Sequence, residues 1–323
     1  MKYSSTYNKI AATLWDLWCI FSVIGIWPRF IEPFLLKTTT LILKIQSLPE
    51  PLSGLKIAHF TDLHFSKKSS PRFLKKLAKK ITLFKPDIIL FTGDLISYGT
   101  LDDPDSLQKF LSSLSAPLGA FACLGNHDYE KYVSKNQEGN FDIAQGGTHF
   151  IIKSFEQLKT KKNPSPYPST RAKALQPNLR LQDVFKNSSF QLLENASTLL
   201  KIKDTYLNIT GLGDYWTGKC VPDLAFKNYN SLYPGIVLSH NPDTYPILKS
   251  YPGELIFSGH THGGQVNLPW IWKYFSPTKN PKFKKGLFDF GSKKLYINRG
   301  SGSHHIFRWF SPPEILFVTL RPS

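Results

Sequence analysis

Three features of the chain predict an α/β fold built in layers. Apolar runs of strand length alternate with amphipathic helical stretches between residues 55 and 125. Those runs end in short polar or glycine-containing stretches, as parallel strands do at the sheet edge where ligands bind. The length, 323 residues with 41% hydrophobic, suffices for one large domain with a real core.

Charge narrows the partners. Forty Lys+Arg face 23 Asp+Glu, a net charge of +17, which favours an anionic partner such as a phosphate ligand, nucleic acid or an acidic membrane surface. A solvated lysine-rich surface accounts for part of that excess. Cys19, Cys123 and Cys220 are far apart and form no CxxC pair. That spacing argues against a disulfide framework and a cysteine zinc site, and favours a reducing compartment.

Taken in order, residues 1–50 form an N-terminal hydrophobic membrane-associating segment, and residues 51–323 the catalytic domain, with an insertion at about 130–185. The cleanest apolar stretch, residues 17–27, is short for a bilayer span, which needs roughly 20 residues. Trp15, Trp18 and Trp27 suit the bilayer interface, so a surface or shallowly inserted anchor is favoured over a spanning helix, and that over a buried helix. Lys2 and Lys9 precede the apolar stretch as in a signal peptide, but no small-residue cleavage site follows.

Residues 41–46 have the composition of a first strand, and residues 55–60 form a second that ends at Thr61-Asp62-Leu63-His64. Phe73, Leu74, Leu77, Ile81 and Phe84 recur at helical spacing with lysines between them. Residues 88–91 are a buried strand leading to Thr92-Gly93-Asp94, and Pro104 opens a helix near residues 105–114. Residues 120–124 then lead to Gly125-Asn126-His127-Asp128. The rhythm fades over residues 130–185, which reads either as a surface insertion or as a lid. Strands resume at 190–193, 199–202 and 206–212. Residues 236–239 end at His240, residues 255–258 end at Gly259-His260-Thr261-His262, and 295–298 and 315–320 close the fold.

Asp62 with His64, Asp94, Asn126 with His127, His240, and His260 with His262 thus stand at five strand ends. Each alone reads as an ordinary turn or core histidine. In a parallel or mixed sheet such ends converge, gathering two aspartates, one asparagine and four histidines, with His127 beside them. Histidine plus carboxylate without cysteine suits manganese, iron or zinc better than calcium. Two such ions about 3.5–4 Å apart polarise phosphoryl oxygens and generate a nucleophilic hydroxide.

Asp62-x-His64, Gly93-Asp94, Gly125-Asn126-His127-Asp128, His240 and Gly259-His260-x-His262, in that order, closely resemble the calcineurin-like metallophosphoesterases over roughly residues 55–320. Residues 59–64, 239–243, 259–266 and 298–302 look like the subgroup with an N-terminal membrane segment. The resemblance implies a four-layer α/β/β/α sandwich of two mixed sheets with a two-metal site, manganese first, iron or zinc as alternatives. It implies one ion on Asp62, His64 and His262, another on Asn126, His240 and His260, and Asp94 bridging. It gives His127 the transition state or leaving group, and Asp128 the orienting of His127.

The resemblance further implies a nucleotide-lipid substrate. UDP-2,3-diacylglucosamine would be cleaved to UMP and 2,3-diacylglucosamine 1-phosphate in lipid A synthesis, on the cytoplasmic side of the inner membrane. Trp270, Trp272, Tyr274, Phe275, Phe283 and Phe288, interleaved with Lys273, Lys279, Lys282, Lys284 and Lys285, suit an interface with anionic lipid. Arg299 is a candidate phosphate contact, with a structural hydrogen bond as its alternative. No nucleic-acid partner is expected, because no binding motif accompanies the charge. A phosphodiesterase or phosphatase for another phosphoester is the enzyme alternative. A scaffold that has lost catalysis is the non-enzyme one, and it predicts missing ligands, whereas none is missing. Oligomeric state is left open by the sequence.

Overall fold

The computed structural model describes residues 2–46, 48–144, 163, 165–267, 278–303 and 306–323. Helix α1 (Lys2–Phe21) runs on as a wider π-type helix, Ser22–Ile31, and a 3-10 turn, Glu32–Phe34. Then come β1 (Lys37–Ile45), β2 (Lys56–Phe60), α2 (Pro71–Phe84), β3 (Ile88–Thr92), α3 (Pro104–Ser112) and β4 (Ala120–Cys123). A small hairpin, β5 (Val133–Lys135) and β6 (Phe141–Ile143), precedes α4 (Thr170–Ala174), α5 (Leu179–Lys186), β7 (Phe190–Leu192), β8 (Ala196–Ile202) and β9 (Thr205–Gly211). The chain closes with α6 (Pro222–Ala225), β10 (Gly235–Leu238), α7 (Tyr245–Leu248), β11 (Leu255–Ser258), β12 (Gly286–Asp289), β13 (Lys294–Ile297) and β14 (Glu314–Pro322).

Local chemistry sets the helix starts. Ser70 accepts the Phe73 amide ahead of Pro71 in α2, and Asp103 accepts the Ser106 amide ahead of Pro104 in α3. Leu77 and Ile81 of α2 are fully enclosed, each worth about 1.5–3 kcal/mol of burial, which commits that helix to the sheet beneath it.

The strands form two six-stranded mixed sheets, ordered β1-β14-β2-β3-β4-β7 and β12-β13-β11-β10-β9-β8. Strands β2, β3, β4 and β7 are mutually parallel, as are β9, β10, β11 and β13. The sheets face each other across a core that includes Ile57, Leu90, Cys123, Ile209, Leu238 and Phe257. Helices α2, α3 and α5 cover the outer face of the first sheet, and α6 and α7 that of the second. The expected four layers are therefore present.

Three segments differ from expectation. Strand β1 pairs along its whole length with β14, so the folded domain reaches into residues 1–50. Within residues 130–185, Leu181, Val184 and Phe185 of α5 lie in the core under the first sheet, so this part is helical layer and not irregular insertion. Residues 145–162 of that insertion lie outside the described residues, as do Trp270, Trp272, Lys273, Tyr274 and Phe275. Phe283, in contrast, is buried against Tyr245 and Phe288, so it packs the domain and is not free for a lipid.

The N-terminal helix is longer than its apolar centre suggests. Ala12–Phe34, 23 residues whose most apolar 18 have a mean hydropathy of 1.4 and are only 6% buried, is long and apolar enough to cross a bilayer by length and composition. Trp15, Trp18, Phe21 and Phe30 project outward from it.

Candidate metal centre

Asp62, Asp94, Asn126, His240 and His260 follow β2, β3, β4, β10 and β11 by two or three residues. Parallel neighbours bring these ends to one edge, where the two sheets meet. The turns are tight. Asp62, His64, Asp94, His260 and His262 all take left-handed backbone angles, with φ of 50°, 48°, 57°, 68° and 49°. Non-glycine residues in that region cost of order 1–3 kcal/mol each and cluster where function demands them. The glycines of the motifs have a related cause. A Cβ on Gly125 would collide with the Asp94 carboxylate and sit 2.8 Å from His240 Nε2. One on Gly259 would collide with Asp62 and Thr61.

Two groups of inward-facing donor atoms result. In the first, His64 Nε2 lies 3.0 Å from His262 Nε2, which lies 3.4 Å from Asp62 Oδ1. In the second, His260 Nδ1 lies 3.0 Å from Asn126 Oδ1 and 3.2 Å from His240 Nε2. Asp94 joins them, its Oδ2 being 3.2 Å from His240 Nε2 and 3.7 Å from His64 Nε2. All seven side chains are buried. Clustered imidazole nitrogens and carboxylate oxygens without cysteine are the donor set of a divalent transition ion, and the residues fit a metal pair.

The far side of each group fixes what faces inward. His240 Nδ1 is 2.7 Å from the Thr92 carbonyl, so Nδ1 keeps its hydrogen and Nε2 is the nitrogen that would ligate on losing its proton. Asn126 donates its amide to the Val133 carbonyl at 2.8 Å, turning Oδ1 to the centre. Asp94 accepts the His127 amide on Oδ1 at 2.9 Å, leaving Oδ2 for the histidines. Asp62 accepts from Thr61 Oγ1 and from the His260 amide.

His127 stands beside the first group, its ring 4.8 Å from that of His64 and stacked 4.6 Å from Tyr132. Its Nδ1 accepts the Tyr98 amide at 3.1 Å, so the neutral ring carries its proton on Nε2. Asp128, expected to orient that ring, has a different task. Its carboxylate accepts the amides of Leu95, Ile96 and Gly125, clamping the two loops that carry Asp94 and Asn126.

Arg299, the candidate phosphate contact, is turned to Glu314, with Nη2 3.1 Å from Oε1. Arg308 was not singled out by the sequence and is fully buried beside His262, with Nη2 3.1 Å from its Nδ1. Its sequence signal is slight: one arginine between Phe307 and Trp309.

Burial raises the Asp62 carboxyl to about 7, and burial with the Asp94 charge does the same to Asp128. Burial would also raise Asp94, but the facing His240 and His127 hold it well below the usual carboxylate range. Burial would lower His240, yet Asp94 carries it up to about 10. Burial keeps His64, His260 and His262 well below their ordinary range, so all three are neutral. An Asp94–His240 ion pair thus substitutes for cation charge, and a metal held here would displace protons from Asp62 and His240.

The family model of the calcineurin-like phosphoesterases matches residues 55–264, and the chain belongs to that family. It is accordingly a hydrolase whose family binds a dinuclear metal centre. Among its relatives, the UDP-2,3-diacylglucosamine pyrophosphatase LpxG of Chlamydia muridarum is 40% identical, over 91% of this chain and 92% of the relative. The protein of the same name from Chlamydia trachomatis is 41% identical over the same shares. The phosphodiesterase YaeI of Escherichia coli is 28% identical, over 82% of each chain.

Proposed function

We propose that the chain hydrolyses the pyrophosphate of UDP-2,3-diacylglucosamine, releasing UMP and 2,3-diacylglucosamine 1-phosphate for lipid A synthesis. The observation that carries this is the 40% identity to a pyrophosphatase of that name, over 91% of this chain and 92% of the relative. Asp62, His64 and His262 would hold one divalent ion, and Asn126, His240 and His260 the other, with Asp94 between them. Manganese is favoured, with iron or zinc as alternatives. The ion pair, when bound, supplies Lewis-acid charge and an activated nucleophile.

The chain's own residues supply the rest. His127 faces the centre with its proton on Nε2, placed to donate a hydrogen bond to a phosphoryl oxygen and a proton to the departing phosphate. Asp128 keeps the Asp94 and Asn126 loops in register. Arg299 is a structural partner of Glu314 in this reading and not a phosphate contact. The apolar helix Ala12–Phe34 seats the enzyme at the membrane that holds an acylated substrate, on the cytoplasmic face where a UDP-sugar is available.

A second reading, hydrolysis of a different phosphodiester, is favoured by the likeness to the E. coli phosphodiesterase. Purified full-length protein with manganese and UDP-2,3-diacylglucosamine in detergent micelles separates the two: release of UMP supports the first reading. Turnover of bis-p-nitrophenyl phosphate alone leaves the second.

A further inference from the structure

The N-terminal segment and the metal centre meet on one short stretch, residues 306–311. From the outside, Pro28 O accepts the Arg308 amide at 2.8 Å, and Arg29 Nη1 donates to Ile306 O at 2.6 Å. Glu32, only 2% exposed, accepts the Phe310 amide at 3.0 Å, the Trp27 indole at 2.8 Å and the Ser311 amide. From the inside, the same stretch holds His262. Ser311 Oγ donates to the His262 carbonyl at 2.7 Å, and the Arg308 guanidinium lies against the His262 ring.

Arg308 also donates to the carbonyls of Arg299, Gly300, Ser311 and Gly302. The Gly302 amide in turn donates to Asp62 O at 2.8 Å, and the Ser301 amide to Thr61 O at 2.8 Å. Arg308 therefore grips both loops that carry Asp62 and His262. In the other group, His240 and Asn126 are braced instead by Thr92 and Val133, inside the domain.

We propose that Glu32 is a positioning residue for the metal group formed by Asp62, His64 and His262. The end of the N-terminal segment is then a structural part of the metal centre as well as an anchor. This rests on the ligand assignment of the preceding subsection. Glu32→Gln preserves shape but turns one of two acceptor oxygens into an NH2 facing N–H donors, so residues 310–311 are pushed off and His262 loses its seat.

The test loads full-length protein in detergent with Mn2+, removes excess by gel filtration and measures metal per chain together with the electron paramagnetic resonance spectrum. Wild type is expected to hold two coupled ions. Glu32→Gln and His262→Ala are each expected to hold one isolated ion, and the double variant Glu32→Gln with His260→Ala about none. The proposal is overturned if Glu32→Gln keeps two ions, if it loses both, or if the double variant holds as much metal as His260→Ala alone. A wild type with fewer than two ions overturns the ligand assignment itself, before any variant is read.

Discussion

The two metal groups are alike in donors and unlike in support. Asn126, His240 and His260 project into the seam between the sheets, and the atoms behind the first two are carbonyls of Val133 and Thr92. Asp62 and His262 lean on residues 299–302 and 306–311, the latter held in place by the N-terminal segment. One group is therefore braced from within the domain, while the other is braced through the end of the N-terminal segment. The difference teaches that similar chemistry at two neighbouring positions can depend on distant and unequal parts of a chain.

Changes that ignore the difference should have the largest effect. His127 supports Asp94 through its amide, which the variant keeps, so His127→Ala should lower kcat by about 10²–10⁴-fold while both ions stay bound. Activity assays beside metal analysis check this. Loss of an ion would place His127 among the ligands instead of in proton transfer.

Arg308→Lys sharpens the comparison. A lysine cannot reach the several carbonyls that the guanidinium fork spans. Removing such outer support typically weakens metal binding by about 10–100-fold. Here one ion should weaken and the other hold, as read by titration with Mn2+. Equal weakening of both would break the contrast.

Acidity should separate the groups more gently. A protonated ligand must give up its proton to bind, so affinity rises with pH for both. Asp62, at about 7, is mostly ionised above that value, so the first group's affinity should level off there. His240, at about 10, stays protonated, so the second group's affinity should keep climbing through pH 8. Mn2+ titrations at pH 6, 7 and 8 measure this, and parallel curves would contradict it. The smallest effect belongs to Ser311→Ala, which removes one hydrogen bond to the His262 carbonyl, worth about 0.5–1.5 kcal/mol. Only the first group's affinity should move, by about tenfold at most.

The site was more legible than its support. Asp62, Asp94, Asn126, His240 and His260 stand directly after apolar runs, and strand ends in such sheets converge, so spelling and spacing were enough to bring the donors together. Helix α2 was legible for a similar reason, its apolar positions repeating at helical spacing over 14 residues. Glu32 and Arg308 left no such trace. Their contacts join the two ends of the chain, and each is a single charged residue among aromatics. Asp128 was identified but given the wrong neighbour, because adjacency in sequence to His127 does not decide which way a carboxylate turns in a tight loop. Helix α5 was hidden in a polar stretch, since eight residues are too few to show a helical period clearly.

The most direct measurement of the central claim is UMP release from UDP-2,3-diacylglucosamine by the full-length protein with Mn2+, set beside Asn126→Ala and His127→Ala. A dinuclear pyrophosphatase predicts stoichiometric UMP and sugar 1-phosphate from the wild type and near-complete loss in both variants. Manganese-dependent cleavage of a simple phosphodiester with no UMP from the lipid substrate would contradict it.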